Sequence, residues 1–247
     1  METLIKESVK LLNNSKHTIA FTGSGISVES GIPSFRGVNG IWTKYDPMSL
    51  ELSYFFANPK ESWSVIKEIF YDYFGLAKFN RAHEVLGQME KAGMLACVIT
   101  QNIDNLHQEA GNTIVHEFHG NSKKLVCTSC HAHFDVDESI FLKIPPTCHS
   151  CDGLLKPDFI FFGEQIPPDA YMASTQAAEK AEVCLVIGTT GEVMPANQIP
   201  VLAKQSGATI IEVNPEKSML TDRITDIWLQ GKASEVMDKL AEYLFDE

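Results

Sequence analysis

Four cysteines carry the most specific chemistry in this chain of 247 residues. Cys127 and Cys130 form one C-x-x-C pair and Cys148 and Cys151 a second, with 17 residues between the pairs. Each pair can bend into a knuckle offering two thiolates, and two knuckles complete the closed tetrahedral set of a structural zinc site. His131, His133 and His149 lie nearby, but four paired cysteines leave them no vacant position. The segment "CTSCH" (127–131) also fits a haem-attachment pattern, which would require export to an oxidising compartment. Cys97 and Cys184 fall within apolar runs and read as core thiols.

A second group of residues sits where apolar runs end. "HTIAFT" (17–22) runs into Gly23-Ser24-Gly25, a strand-to-loop junction whose backbone N–H groups can approach a pyrophosphate. Val28 stands where a dinucleotide fingerprint would place its third glycine, and no acidic residue closes a second strand about 20 residues on, so the match is partial. After "VIT" (98–100) come Gln101, Asn102, Ile103 and Asp104, polar groups placed to face a ligand crevice or, in part, to cap a helix. "HEFHGN" (116–121) offers His116 and His119; the latter, beside Gly120, titrates in the range suited to a general base. "FFGE" (161–164), "GTT" (188–190) and "VN" (213–214) close further apolar runs, the last with Asn214.

These positions need a scaffold. Leu4, Ile5, Val9, Leu11 and Leu12 share one helical face in residues 2–15. Strand-like runs at 17–22, 95–100, 183–188, 208–213 and 226–230 alternate with helical patterns at 82–92, 168–181, 194–206 and 234–245. That alternation predicts an α/β fold, a Rossmann-like doubly wound parallel sheet. "PDFIFFGE" (157–164) reads as one more buried strand ending in Gly-Glu. Two stretches break the pattern: aromatic-rich 38–81, which reads as helical, and cysteine-bearing 121–157. Both read as insertions that form one smaller module, leaving 1–37, 82–120 and 158–247 to the nucleotide-type domain and a cleft between the two.

Bulk composition narrows the classes. A hydrophobic fraction of 44% with 21% charged residues is that of an ordinary soluble domain. No apolar run approaches the ~20 residues of a membrane span. The N-terminal segment spreads its charges and lacks the core of a secretory signal, so a cytoplasmic protein is expected. A net charge of −12 argues against nucleic acid as a partner and is compatible with basic peptides.

Taken in order, GSGIS (23–27), GIPSFRG (31–37), TQNID (100–104), HG (119–120), the two C-x-x-C pairs, FFGE, GTT and VN resemble the sirtuin family of NAD-dependent protein deacylases, of the prokaryotic type, across residues 8–235. The resemblance implies that NAD is consumed as a co-substrate and zinc is structural. It assigns NAD contacts to Ser24, Gly25, Val28, Phe35 and Arg36, with Phe35-Arg36 in a lid over the nicotinamide ribose. Gln101, Asn102, Ile103 and Asp104 would hold ribose and carboxamide, Gly188, Thr189 and Thr190 the phosphate–ribose side, and Asn214, Lys232 and Ala233 the adenosine. His119 would be the general base, assisted by Asn102. An acetyl-lysine peptide would pair as an extra strand between Gly163–Glu164 and Glu192–Val193–Met194.

The family usually carries alanine where Ser24 stands and often aspartate at Ser34. Members preferring succinyl or malonyl groups carry Tyr-x-x-Arg in the helical insertion, and "FYDYFGLAKF" (70–79) has no arginine at that spacing. Neutral acyl groups, acetyl first, are therefore expected, with a monomer as the working unit. The rival readings are protein mono-ADP-ribosylation from the same pocket and a non-catalytic NAD- and zinc-binding interaction module.

Overall fold

The computed structural model describes residues 1–35 and 40–245. Helix α1 (Glu2–Asn14) turns Ile5, Ser8, Val9 and Leu12 inward at helical spacing, with Leu4 and Leu11 half-buried at its flanks. Strand β1 (Thr18–Thr22) follows, then a 3₁₀ turn over Ser24–Ser30. The helical insertion comprises α2 (Leu52–Ala57), α3 (Pro59–Ile66) and a π-helical turn over Lys67–Tyr73. Helix α4 (Arg81–Lys91), β2 (Cys97–Thr100), the single turn α5 (Leu106–Glu109) and β3 (Val115–Glu117) return to the main sheet.

Strands β4 (Gly120–Cys127), β5 (His133–Asp135) and β6 (Leu155–Phe159) make a separate antiparallel sheet in the order β5-β4-β6. The remainder is α6 (Pro168–Lys180), β7 (Val183–Ile187), α7 (Gln198–Gln205), β8 (Thr209–Asn214), β9 (Ile227–Gln230) and α8 (Ala233–Phe245). Six strands pair in parallel in the order β3-β2-β1-β7-β8-β9.

Both faces of this sheet are covered, and successive residues serve opposite faces. Ala20, Val98, Leu185 and Val213 enter the core under α1, α4 and α8; Ile19, Phe21, Ile99, Val186 and Ile210 enter the core under α6 and α7. Cys97 and Cys184 belong to the second core, as their apolar surroundings predict. Burial drives the Cys97 thiol up to about 12.

A third core joins the helical insertion to the small sheet, with Phe55, Trp63, Ile66 and Phe70 packed among Leu125, Cys127, Leu155 and Phe159. Trp63 is fully buried and donates its indole N–H to the Leu155 carbonyl at 2.8 Å, which fixes the helices onto the ribbon.

Two expectations shift. Strand β3 was hidden in the sequence because His116 and Glu117 interrupt its apolar pattern, yet it pairs with β2 and sets the chain path to His119. The strand expected over 157–164 ends at Phe159, because Gly163 adopts a left-handed φ of 92° and Phe162 bonds instead to Leu50 and Leu52.

Candidate active site

The strand order changes direction between β1 and β7, and an open parallel sheet leaves its ligand crevice at the carboxyl ends of the strands beside such a point. The glycine loop sits there. The Gly23 amide donates to Ile187 and the Gly25 amide to the Gly188 carbonyl at 2.8 Å. A Cβ on Gly25 would stand 2.7 Å from Gly188, and one on Gly188, itself at φ 64°, would meet the Ile26 amide at 2.2 Å. Glycine at these positions is a packing requirement between two strand ends, and it brings the loop backbone against the Gly188 turn at the crevice. Ser24 is half-buried, Val28 is exposed, and Phe35 packs against Trp42 and Phe70 with ring centroids 5.6 and 6.4 Å away. Arg36 lies outside the described residues.

Behind the crevice runs a buried hydrogen-bonded relay. The Thr22 hydroxyl donates to Thr100 Oγ1 at 2.8 Å, and His107 Nε2 lies 2.9 Å from Thr22 Oγ1. Thr100 Oγ1 also accepts the Asn102 amide, which turns the chain off the end of β2. The Ser27 hydroxyl donates to Asp104 Oδ2 at 2.7 Å and accepts from Asn102 Nδ2 at 3.1 Å. His83 Nε2 approaches the same hydroxyl at 3.5 Å, while its Nδ1 accepts the Asn80 amide at the start of α4. Asp104 also caps α5 through the Leu106 amide at 3.1 Å, so the helix-capping and crevice-facing readings of this segment both hold. Burial raises the Asp104 carboxyl, opposed by the Ser27 hydroxyl and the Leu106 amide. Burial lowers His83 to about 4 and holds His107 far below its ordinary value, so both imidazoles are neutral at pH 7.

His119 hangs on the turn between β3 and β4, at the junction of the large sheet with the small one. Its Nδ1 lies 3.0 Å from the Gln101 carbonyl, and a carbonyl only accepts, so Nδ1 carries the proton and Nε2 presents its lone pair. Burial lowers its pKa, partly offset by that carbonyl. Gly120, at φ 78°, allows the backbone of β6 to pass close by, since a Cβ there would stand 2.3 Å from the Asp158 carbonyl.

On the far side of the switch point, Gln101 Nε2 donates to Thr189 Oγ1 at 3.1 Å and ties the β2 end to the Gly188–Thr190 turn. Asn214 Nδ2 donates to the Thr189 carbonyl at 2.8 Å and to Glu212 Oε1 at 3.0 Å. Ala233 is buried and Lys232 exposed at the start of α8, and Glu29 accepts the Ser234 amide there, linking the glycine loop to that helix.

The four thiols of Cys127, Cys130, Cys148 and Cys151 lie within 4.8 Å of one another. Cys127 and Cys151 sulfurs are 3.5 Å apart, and Cys130 and Cys148 sulfurs 3.7 Å. Zn–S bonds of about 2.3 Å give tetrahedral edges near 3.8 Å, whereas a disulfide requires about 2.05 Å. The donor set fits zinc. The amides of Ser129 and Cys130 point at Cys127 Sγ, and that of Ser150 at Cys148 Sγ; such contacts, the Cys130 amide foremost, draw the Cys127 thiol down to about 6.

Residues 23–195 match the family model described as the Sir2 family. The chain is a member of the Sir2 family. It is 41% identical to NAD-dependent protein deacetylase 1 of Pyrobaculum aerophilum over 97% of this chain and 94% of the relative. It is 43% identical to an NAD-dependent protein deacylase of Pyrococcus abyssi over 96% of each. Among solved structures, a Sir2 homolog–NAD complex superposes with a TM-score of 0.90 at 39% identity, covering 97% of this chain and 93% of that one. A Sir2 complex with deacetylated p53 peptide and 3'-O-acetyl ADP-ribose superposes with a TM-score of 0.90 at 35% identity, covering 97% and 98%.

In this Sir2 protein the residues expected to receive peptide are accessible. Gly163, Glu192, Val193 and Met194 are exposed and Glu164 is half-buried. Sequence reasoning missed Ser27, His83 and Glu212. Ser27 and His83 are 56 positions apart and meet only in space; the single local sign was Asn80 followed three residues later by His83, the pattern of a helix-capping box. Glu212 is fully buried, its carboxylate satisfied by Asn214, Thr221 and Thr225, and it holds Asn214 in place.

Proposed function

We propose that this Sir2 protein is an NAD-dependent protein-lysine deacetylase that converts NAD and an acetyl-lysine peptide into nicotinamide, O-acetyl-ADP-ribose and free lysine. The observation that carries the reading is the tautomer of His119, whose Nδ1–H is committed to Gln101 so that Nε2 is free to accept a proton. NAD would be held by Ser24, Gly25, Val28 and Phe35 of the first loop with Arg36, which lies outside the described residues, by Gln101 to Asp104 for the nicotinamide ribose and carboxamide, by Gly188 to Thr190 for the phosphates, and by Asn214, Lys232 and Ala233 for the adenosine. Asn102 and Asp104, oriented by Ser27, place the carboxamide and ribose.

The acetyl oxygen attacks the ribose carbon as the bond to nicotinamide breaks. Nε2 of His119 then takes a proton from a ribose hydroxyl, which closes on the imidate carbon; water completes release of the lysine amine and leaves the acetyl group on ADP-ribose. In consequence the enzyme is a transferase. Zinc, held by the four cysteines, has no open coordination position and only fixes the small module. The peptide enters as a strand between Gly163–Glu164 and Glu192–Met194.

We divide the chain into an NAD-binding domain of residues 1–37, 82–120 and 158–247 and a small domain of 38–81 and 121–157. The third core, built mostly from 38–81 and 121–157, supports a distinct small domain, and Phe159 and Phe161 carry that core past residue 157. The six cysteines form no disulfide, in keeping with a cytoplasmic setting, and no described helix is long and apolar enough to cross a membrane. We take a monomer as the working unit.

The test is a product balance with NAD and an acetyl-lysine peptide. Equimolar nicotinamide, deacetylated peptide and acetylated ADP-ribose are expected, with acetyl removed faster than succinyl. Nicotinamide release independent of the acetyl group would point to ADP-ribosyl transfer. NAD binding without release would leave only a binding module.

A further inference from the structure

Lys156 lies outside the NAD contacts and outside the metal set, yet it is almost fully buried, at 6% exposure. A lysine that deep survives only when its ammonium is fully paired. All three of its donors are used. Nζ donates to the Pro157 carbonyl at 2.8 Å and to the Phe159 carbonyl at 2.7 Å, and pairs with Glu164 Oε2 at 2.9 Å. It also stands 4.3 Å from the centroid of the Phe161 ring. Glu164 Oε2 takes a second hydrogen bond, from the Phe161 amide at 2.6 Å.

Residues 157–164 thus fold around one cation. The first three residues of this stretch end β6 on β4, with Pro157 opposite Leu125 and Phe159 opposite Gly120, and no regular ladder holds 160–164. Its other tethers are Phe162 to Leu50 and Leu52 on one side, and the Ile160 amide to the His119 carbonyl at 2.8 Å on the other. The stretch therefore carries the edge offered to the peptide and touches the backbone of the base. We propose that Lys156 is a positioning residue for the acyl-peptide: its ammonium preorganises the Gly163–Glu164 edge, so its loss weakens peptide binding selectively and leaves NAD binding intact. The proposal rests on the peptide pairing at that edge.

The selectivity follows from connectivity. Every partner of the Lys156 ammonium named above lies within 157–164, and none belongs to the glycine loop, the β2 end or the Gly188 turn; its backbone pairs with Val126 of β4. Removing the ammonium leaves Glu164 without its cation and two carbonyls without a donor, and breaking a buried pair in this way is costly where the broken pair sits. Arginine keeps the charge and donors, so it retains part of the function; methionine keeps the length and loses both.

The experiment compares steady-state kinetics of wild type, Lys156→Met, Lys156→Arg and Glu164→Gln, with ADP-ribose affinity, zinc content and thermal melting measured on each. Lys156→Met is expected to raise peptide KM about tenfold or more, with ADP-ribose Kd and zinc content unchanged and Lys156→Arg recovering most of the loss. Glu164→Gln, which keeps the loop volume and tests the clip should the methionine variant not fold, is expected to raise peptide KM by about threefold to fivefold. A folded methionine variant with wild-type peptide KM overturns the proposal, as does an unchanged peptide KM in Glu164→Gln. Parallel losses in peptide and ADP-ribose affinity that arginine does not restore overturn it too, since they mark general destabilisation. A peptide N-methylated on the backbone beside its acetyl-lysine separates the two claims. If methylation raises KM while Lys156→Met does not, strand pairing stands and the role of Lys156 falls; if neither raises it, both fall.

Discussion

The two sides of the cleft are held by opposite kinds of interaction. On the NAD side, the network behind the crevice is mostly neutral: Thr22, Thr100, Ser27, Asn102 and two imidazoles are linked by polar contacts of 2.7 to 3.5 Å around the Asp104 carboxyl, and a second buried carboxyl, Glu212, is satisfied by neutral donors beside Asn214. On the peptide side, eight residues of chain fold around one ammonium and its carboxylate, in line with the β6 strand that leads from the four-cysteine cluster. A neutral network between packed strand ends is stiff and suits a ligand that must be placed to fractions of an ångström. A charge-centred loop gathers its polar contacts on one cation and adds a few backbone tethers, and a substrate read mainly through its backbone needs little more. The contrast implies that the small module is breakable independently of the sheet.

The largest effect should come from the metal set. Cys148→Ala, or removal of zinc by a strong chelator, takes away a share of the ~10–16 kcal/mol that thiolate zinc sites supply to folding. Loss of peptide-dependent turnover is expected, together with an early melting step confined to the third core, while the sheet melts as before. Calorimetry with and without chelator checks this, and a single coincident transition would erase the distinction between the two regions.

Next is Gly25→Ala. The added methyl meets Gly188 at 2.7 Å, between two backbones that cannot yield, and a cost of about 1–3 kcal/mol is expected as weaker ADP-ribose binding with normal zinc content. Titration calorimetry against ADP-ribose reads it.

Acid sharpens the comparison further. His83 titrates near 6.5 when unfolded and near 4 in the fold, so the unfolded chain binds more protons between those values and acid favours unfolding. Stability should fall as pH drops from about 6.5 to 4, by on the order of 3 kcal/mol from His83 alone, with His107 adding in the same direction. Asp104, whose carboxyl is raised, opposes part of the loss. Denaturant melts at pH 7 and pH 5 of wild type and His83→Gln provide the check: the substitution should flatten the dependence.

The smallest effect belongs to Glu29→Gln. Its carboxylate accepts the Ser234 amide at the start of α8, a charge-to-helix contact worth about 0.3–1 kcal/mol, so a rise of about twofold to fivefold in KM for NAD is expected, with peptide KM unchanged.

Much of this was legible in the sequence, and the reasons differ by residue. Gly23, Gly25 and the two C-x-x-C pairs are local patterns whose spacing contains their geometry. Asn102, Asp104 and Asn214 announced themselves as polar groups at the ends of apolar runs. Ser27, His83 and Glu212 did not, because each matters through a partner brought close only by the fold. Lys156 looked like any surface lysine beside a proline, since nothing in "LLKPDF" shows that the following eight residues will wrap around it. Strand β3 escaped because three residues with two polar side chains carry too little periodicity. The strand through Glu164 was overextended because a run of apolar residues does not reveal that Gly163 turns left-handed.

The most direct test of the account is the His119→Ala variant assayed with NAD and an acetyl-lysine peptide. His119 is the group assigned as base, with Nδ1 committed to Gln101. The variant should therefore bind ADP-ribose and zinc normally while its yield of deacetylated peptide and O-acetyl-ADP-ribose falls by about 10²–10⁴-fold. A variant that deacetylates at the wild-type rate would contradict the account and place the base elsewhere.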